Sequence, residues 1–516
     1  MKKKPNIVLF LVDDMGYGDL SCLNPEGKIK TPNFDKLAEE GMIFTDAHST
    51  SSVCSPSRYS TLTGRYNWRS TLQRGIVLPF GKSLIKENIP TIPKFLKQHG
   101  YNCGIIGKWH LGMDWDFEVT KEDFHPTGHL AEPPEEKFTT SPEQVRLWEK
   151  AFSKKIKGGP IGAGFDYFFG VDIPNWPPFC FIENERTIGS PSTFLPNYLL
   201  GNKMASIQGP AMPYWNFHQL LPTFAEKSDE YIRRQTEKEE PFFLYFSATS
   251  PHTPLAVNKP WIGSSGLNNL YADFVIETDY IFGELMKSLE KHGAADNTLV
   301  IFTSDNGCAP YIGVEEMEKQ GHYPSYIYRG YKSDAWDGGH RMPFIAKWKG
   351  VINPGSTSDK LICLTDIFRT CADILETELP PEAAVDSVSI LPLFQGHEKE
   401  IRKHVVHHSI QGKFAIRDKD WKLLLCPGSG GWSLNDKEAF TNGMPVVQLY
   451  NMKDDPEEKN NVYTQYPEQV RKMISMLEKT VTDGRSTPGP LQQNETEIDI
   501  WKLNTIGADK KVIDDL

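Results

Sequence analysis

Asn6-Ile7-Val8-Leu9-Phe10-Leu11-Val12-Asp13-Asp14 is the stretch that decides the fold. Its apolar run is continuous rather than alternating, so neither face of the strand it forms is meant for water. Such strands belong in a parallel sheet with helices on both sides. The run ends in two adjacent carboxylates, and in such sheets the site lies beyond the carboxyl ends of the strands. The same pattern recurs along the chain. Residues 101–106 lead into Gly107-Lys108-Trp109-His110-Leu111-Gly112, residues 242–248 into Ser250-Pro251-His252-Thr253-Pro254, and residues 298–303 into Ser304-Asp305-Asn306-Gly307. Helical segments with start and stop signals lie between them: Thr31-Pro32 to Gly41, Thr91 to Gly100, and an apolar stripe at Leu270, Phe274, Ile281, Leu285 and Leu289 closed by Gly293. The alternation predicts an α/β fold, a large mixed and mostly parallel sheet sandwiched by helices.

With 516 residues the chain is long for one core. A boundary near Gln395-Gly396 divides a domain over 1–395 from a smaller α+β subdomain over 396–516. In the latter, residues 405–408, 413–417, 421–425 and 446–450 read as short antiparallel strands and 467–482 as an amphipathic helix. Within the large domain, residues 42–47 read as a further strand and 361–375 as a helix. From 114 to 222 the pattern dissolves into Pro-, Gly- and aromatic-rich sequence such as Asn175-Trp176-Pro177-Pro178-Phe179. A long irregular insertion in an α/β protein usually builds the substrate-facing wall.

Lys and Arg number 56 against 67 Asp and Glu, a net charge of −11. That excludes nucleic-acid binding by phosphate neutralisation. It leaves room for an anionic small substrate in a local cationic pocket. Eight cysteines contain no Cys-x-x-Cys pair, which removes zinc-ribbon and thioredoxin motifs. Met1-Lys2-Lys3-Lys4 imitates an export signal, but the apolar run after it is short, ends in Asp13-Asp14 and precedes no cleavage site. We therefore expect the first strand of the fold there. We also expect an exported, periplasmic-type protein whose signal is absent from this chain, with cytoplasmic residence left open. No apolar run approaches the roughly 20 residues of a membrane span.

Cys54-Ser55-Pro56-Ser57-Arg58, followed by Leu62-Thr63-Gly64-Arg65, places a cysteine at a helix start with a fixed cation one turn on. Asp13, Asp14, Asp305 and Asn306 are hard oxygen donors at strand ends and suit Ca²⁺, with Mg²⁺ second, rather than zinc. Arg58, Lys108 and Lys332 supply positive charge, and His110 and His252 are groups for proton transfer. Each has a plainer reading: a packed thiol, turn-capping carboxylates, solvated lysines, structural histidines.

Taken together, these motifs resemble the formylglycine-dependent sulfatases of the alkaline phosphatase superfamily. The likeness rests on the Cys54–Arg65 stretch, Gly107 to Gly112, the Asp13-Asp14 pair, the Ser-Pro-His-Thr-Pro and Ser-Asp-Asn-Gly segments, Lys332 to Pro343, and Leu449-Tyr450-Asn451 with Asp454-Asp455-Pro456. It covers nearly the whole chain. Asp337 stands where that family commonly has glutamate. The resemblance implies that a maturation enzyme oxidises Cys54 to Cα-formylglycine, whose hydrated form attacks sulfur and then expels sulfate. It implies Ca²⁺ on Asp13, Asp14, matured Cys54, Asp305 and Asn306, sulfate binding by Lys108 and Lys332, and stabilisation of the diol by Arg58. His252 would protonate the leaving oxygen and His110 would deprotonate the diol.

Within the family, Gly164-Phe165-Asp166-Tyr167 and the general layout look most like the arylsulfatase A and N-acetylgalactosamine-6-sulfatase branch. This implies exo removal of a 6-O-sulfate from galactose or N-acetylgalactosamine. Asp172, Asn175, Trp176 and His218 are the candidate sugar contacts, and Trp215 is a further aromatic suited to a sugar ring. Two other readings stay open: a phosphodiesterase or phosphonate monoester hydrolase of the same superfamily, and an inactive anion-binding glycan receptor.

Overall fold

The structure, a computed structural model, describes residues 4–116, 139–200, 205–513 and 516. Ten strands form the main sheet: β1 (Asn6–Asp13), β2 (Met42–Phe44), β3 (Asn102–Lys108), β4 (Tyr167–Val171), β5 (Ile182–Glu183), β6 (Arg186–Thr187), β7 (Phe242–Pro251), β8 (Thr298–Ser304), β9 (Phe344–Lys347) and β10 (Ser356–Ser358). Their order is β10-β2-β9-β8-β1-β7-β3-β4-β5-β6. The central five, from β8 to β4, are mutually parallel, and antiparallel pairs flank them.

Every residue of β1 is buried. Ile7, Leu9 and Leu11 enter one hydrophobic core, and Val8, Phe10 and Val12 the other. This is why the run is continuous: each face has its own helices to meet, and each buried aliphatic side chain contributes about 1.5–3 kcal/mol. The first core is covered by helices Cys54–Thr63, Ile92–Gln98 and Asp366–Ile374, the second by Pro32–Glu40, Leu220–Glu237 and Leu270–Lys291. Parallel pairing brings the strand ends to one edge. Asp13 pairs with Pro251, Val12 with Ser304, and Lys108 with Val171.

Three expectations are corrected. The strand expected at 42–47 divides: Met42–Phe44 joins the main sheet, while Ala47–His48 pairs with Ile362–Cys363 in a sheet of two strands. The helix expected over 361–375 therefore starts only at Asp366, whose carboxylate accepts from the Cys363 backbone N–H at 2.8 Å. The insertion is less irregular than its composition implies. It carries the helix Pro142–Phe152, capped by Ser141, and contributes β4 to the parallel core. A strand of five residues inside aromatic-rich sequence offers too few positions for a period to show. Residues 117–138 of the insertion lie outside the described residues.

Beyond the large sheet, His404–His408, Phe414–Asp418, Trp421–Leu424 and Gln448–Asn451 form a four-stranded antiparallel sheet in sequential order. The helix Pro467–Thr482 packs on it through Val470, Met473 and Leu477. Tyr66 and Trp68, just after the cysteine helix, insert into this same core. Arg69 follows, buried and doubly paired with Asp386 at 2.8 and 2.9 Å, and it also donates to the Thr480 carbonyl of that helix at 3.1 Å. No helix among the described residues is long and apolar enough to cross a membrane.

Removing one partner of a buried ion pair strands the other charge, which costs about 3–5 kcal/mol. Asp386→Asn should therefore lower the thermal midpoint sharply, whereas replacing both residues by apolar ones (R69M with D386L) should lose less than either single change. A calorimetric comparison in which the double variant is the worst of the three contradicts this assignment.

Candidate active site

The cysteine is delivered by a strap, residues 49–53, clamped on both sides. Ser49 N–H donates to the His340 carbonyl at 2.8 Å, and Ser333 N–H donates to the Ser52 carbonyl at 2.8 Å. On the other side Ser52 and Thr50 exchange backbone bonds with His408 of the small sheet at 3.2 and 2.9 Å. Val53 is extended, and Cys54 opens a ten-residue helix with no exposed residue. That helix is polar yet buried: the Thr61 and Thr63 hydroxyls donate to the Ser57 and Tyr59 carbonyls, while the Ser57, Tyr59 and Ser60 hydroxyls are buried without a partner. Gly64, at φ 61°, ends it. A Cβ there would sit 2.9 Å from Ala384, so only glycine fits. Burial raises the Cys54 thiol above its ordinary range despite Lys108 and Lys332 nearby. An unmodified thiol here is a poor nucleophile.

Around Cys54 the strand ends assemble a buried cluster of alternating charge. Arg58 Nε donates to Asp305 Oδ2 at 2.8 Å, and its Nη2 lies 3.4 Å from Asp13 Oδ1. Lys108 Nζ is 2.6 Å from Asp13 Oδ2, and Lys332 Nζ is 2.7 Å from Asp14. Asn306 Nδ2 donates to Asp14 Oδ1 at 2.7 Å, and Asp14 N–H donates to Asp305 Oδ1 at 3.2 Å. Ligand atoms of Asp13, Cys54 and Asp305 fall within 4.8 Å of one another, as do those of Asp13, Asp14 and His252. Burial works to raise the Asp13 carboxyl, but Lys108, His252, Arg58 and Lys332 outweigh it and hold it well below the usual range. Burial pushes Asp305 up to about 7, with Arg58 pulling the other way.

Both predicted histidines join the cluster with their tautomers fixed. His110 Nε2 lies 3.0 Å from the Val77 carbonyl, which can only accept, so Nδ1 is left as the bare lone pair, buried and without a partner. His252 Nδ1 lies 2.6 Å from the Thr253 carbonyl, which leaves Nε2 facing Asp14 at 3.5 Å. Burial depresses both imidazoles, His252 to about 4.

The sugar candidates separate. Asp172 follows β4, its carbonyl accepts from His110 N–H at 3.0 Å, and both its carboxylate oxygens are buried without a hydrogen bond. Trp176 meets His110 edge-on at 6.3 Å and donates to the Ala205 carbonyl at 2.6 Å. Asn175 is buried and also donates to that carbonyl. His218 is exposed, and its carbonyl accepts from Asn258. Trp215 is corrected: it packs against Phe181 and Phe217 in the core, because its aromatic neighbours offer it a dry site.

The family profile described as Sulfatase matches residues 5–377, and a second, described as N-sulphoglucosamine sulphohydrolase, C-terminal, matches 332–487. The chain belongs to the sulfatase family. It is 31% identical to an N-acetylgalactosamine-6-O-sulfatase of Bacteroides thetaiotaomicron over 93% of this chain and 94% of that one. It is 31% identical to the steryl-sulfatase of Rattus norvegicus over 78% of this chain and 72% of that one. Among solved structures, a Bacteroides thetaiotaomicron sulfatase described in connection with the metabolism of multiple glycosaminoglycans superposes with a TM-score of 0.76. It is 28% identical and spans 93% of this chain and 99% of its own.

As a sulfatase the protein is a sulfuric ester hydrolase with an alkaline phosphatase-like fold. The donor set fits the divalent cation that sulfatases use. Asp13 Oδ1 and Asn306 Oδ1 are buried, make no hydrogen bond, and lie with two further carboxylates and Cys54. Hard oxygens of this kind select Ca²⁺ or Mg²⁺.

Two contributors escaped the sequence. Ser247, within β7, donates to the Lys108 carbonyl at 2.6 Å and accepts from Arg58. Its one signal was a hydroxyl directly after the run 242–246. Tyr311 borders Lys332, Asp14 and Cys54 from the short 3₁₀ helix Pro310–Ile312, which has no motif.

Asp172 yields a prediction with a definite sign. Burial raises its carboxyl from an ordinary 3.8 to about 7. The folded protein thus holds a proton that the unfolded chain gives up, so stability falls as pH rises between those values, by an amount on the order of 4 kcal/mol. Asp172→Asn should raise the thermal midpoint at pH 8 and leave it unchanged near pH 4. Equal gains at both pH values, or none at pH 8, count against an unpaired carboxylate.

Proposed function

We propose that this sulfatase removes a 6-O-sulfate, acting exo, from galactose or N-acetylgalactosamine in a sulfated glycan. The observation that carries the sugar reading is Asp172: a buried carboxylate with no protein partner, set beside His110 at the end of β4. Sites built to hydrogen-bond a substrate hydroxyl leave such a group unpaired until the substrate arrives. The named activity of the Bacteroides relative supports the choice of sugar and position.

Asp13, Asp14, Asp305 and Asn306 would hold Ca²⁺, which would supply fixed positive charge for the sulfate oxygens. Cys54, oxidised by a maturation enzyme to Cα-formylglycine, would supply the oxygen nucleophile. Lys108, paired with Asp13, and Lys332, paired with Asp14, bind sulfate oxygens. Arg58, fixed by Asp305 and Ser247, stabilises negative charge at the residue 54 position. His110 accepts a proton at its bare Nδ1. His252 delivers one to the leaving alcohol from Nε2, and the entering sulfate raises its depressed pKa toward the working range. We infer an exported protein, since access to a sulfated glycan suits that setting.

The test is sulfate release by matured protein from a panel of 6-O-sulfated galactose and N-acetylgalactosamine, 2-O- and N-sulfated glucosamine, steryl sulfate and a phosphate diester. The two 6-O-sulfated sugars should be turned over fastest. Turnover confined to the glucosamine sulfates, the sterol or the phosphate ester rejects the proposal. Peptide mass spectrometry should show residue 54 lighter than cysteine by H₂S minus one oxygen, and Cys54→Ala should be inactive.

Calcium carries its own prediction. A ligand present at a hundred times its Kd stabilises the native state by about 2.7 kcal/mol. Adding Ca²⁺ to chelator-treated protein should raise the thermal midpoint, and Asp13→Asn should abolish that rise. A rise that persists in the variant places the cation elsewhere.

A further inference from the structure

The small sheet sends one loop, residues 426–434, back to the anion pocket. Trp432 N–H donates to Ser333 Oγ at 2.9 Å and to Asp334 Oδ1 at 3.0 Å, and Ser433 N–H donates to Asp334 Oδ1 at 3.2 Å. Ala335 N–H donates to the Ser429 carbonyl at 2.7 Å. Gly431 lies flat on Ser333, where a Cβ would come within 2.4 Å of the Ser333 carbonyl oxygen. The backbone beneath Trp432 is therefore fixed against the residue next to Lys332.

The Trp432 side chain itself is 46% exposed. An indole fixed at its backbone with one face open to solvent is pre-organised for a partner, and indoles gain most when an apolar face covers them. Its ring lies 6.0 Å from that of Tyr311, inclined by 41°. The Tyr311 hydroxyl is buried, and its neighbours are Lys332, Asp14, Thr253 and Cys54. The two rings run as one surface from the solvent side of the pocket to the residues that would bind sulfate.

We propose that Trp432 and Tyr311 form an aromatic wall of the leaving-alcohol subsite, on which the sulfated sugar ring stacks. This rests on the glycan reading above and deepens it. A galactose-type ring has an axial O4, so its C3, C4 and C5 hydrogens share one face and give a continuous apolar patch. In a glucose-type ring O4 is equatorial and that patch is broken. A flat indole therefore favours the galacto configuration, while Asp172 supplies the polar contact. The smaller domain thereby contributes specificity to a reaction whose charged groups all come from the larger one.

The experiment compares wild type, Trp432→Ala, Trp432→Phe and Tyr311→Phe, each first checked for an unchanged thermal midpoint. Steady-state kinetics on N-acetylgalactosamine 6-sulfate and N-acetylglucosamine 6-sulfate are measured alongside inhibition by inorganic sulfate, which probes the anion pocket without an alcohol. Trp432→Ala should raise KM for the galacto sugar about tenfold to two-hundredfold. It should also shrink the preference over the gluco sugar and leave the inhibition constant for sulfate unmoved. Trp432→Phe should retain most of the affinity, and Tyr311→Phe, which keeps the ring, should retain the preference. An unaltered KM and preference in Trp432→Ala beside normal wild-type turnover overturns the wall alone. A parallel shift in sulfate inhibition also overturns it, since the residue would then act on the anion pocket. Wild-type protein that hydrolyses other esters but no sulfated sugar removes the glycan reading and the wall with it.

Discussion

Three buried carboxylates and three buried cations, drawn from five segments of the chain, meet at one end of a parallel sheet. Asp13, Asp14 and Asp305 face Arg58, Lys108 and Lys332 with almost no exposure to water. Desolvating any one of these ions alone costs several kcal/mol, and their mutual attraction returns that only at close range. The fold is what makes close range possible. Mutual parallel pairing of β8, β1, β7 and β3 brings Asp305, Asp13, His252 and Lys108 to the same level. A strand slipped by one residue would reverse each face of β1 and separate Asp13 from Lys108 at once. The charged cluster and the register of the hydrophobic core therefore depend on each other.

Much of this was legible because strand ends in a doubly wound sheet are marked twice. The apolar run announces the strand, and the abrupt polar residue announces where it stops. Asp13, Asp14, Lys108, His252, Asp305 and Asn306 were all found this way, and the structure brings them together. Cys54 and Arg58 were found by motif, and one buried helix carries both of them to Asp13 and Asp305. What sequence could not give depends on loops and on contacts distant along the chain. The strand β4 was lost in aromatic-rich sequence, although Asp172 at its end was named. The Ala47–His48 pairing with Ile362–Cys363 joins residues more than three hundred positions apart, which no local period encodes. Tyr311 and Trp432 act only through their meeting, so neither carries a signal of its own.

Aromatic composition alone was a weak guide to the substrate wall. Trp215 and Trp176 lie in the same insertion and were read alike. Trp215 turned inward because Phe181 and Phe217 surround it, while Trp176 stayed beside His110 because its indole N–H found the Ala205 carbonyl. The difference lies in what each nitrogen and each face can reach, and that is settled by tertiary packing.

The departure at Asp337 shows how the smaller sheet takes part in holding the nucleophile. The Asp337 carboxylate pairs with Lys422 at 2.7 Å and Arg341 at 3.1 Å, and its N–H donates to Glu458 at 2.6 Å. Lys422 and Glu458 both come from the C-terminal region and are fully buried. One turn on, His340 stacks on His407 of that sheet at 3.7 Å and approaches His48 at 3.1 Å between ring nitrogens. Burial keeps all three imidazoles depressed. The joint is therefore held by hydrogen bonds and ring contact, without added charge from the histidines. The backbones of His340 and His408, together with that of Ser333, grip the 49–53 strap. A buried, closely packed joint transmits displacement rather than absorbing it, so the small sheet takes part in setting the position of residue 54.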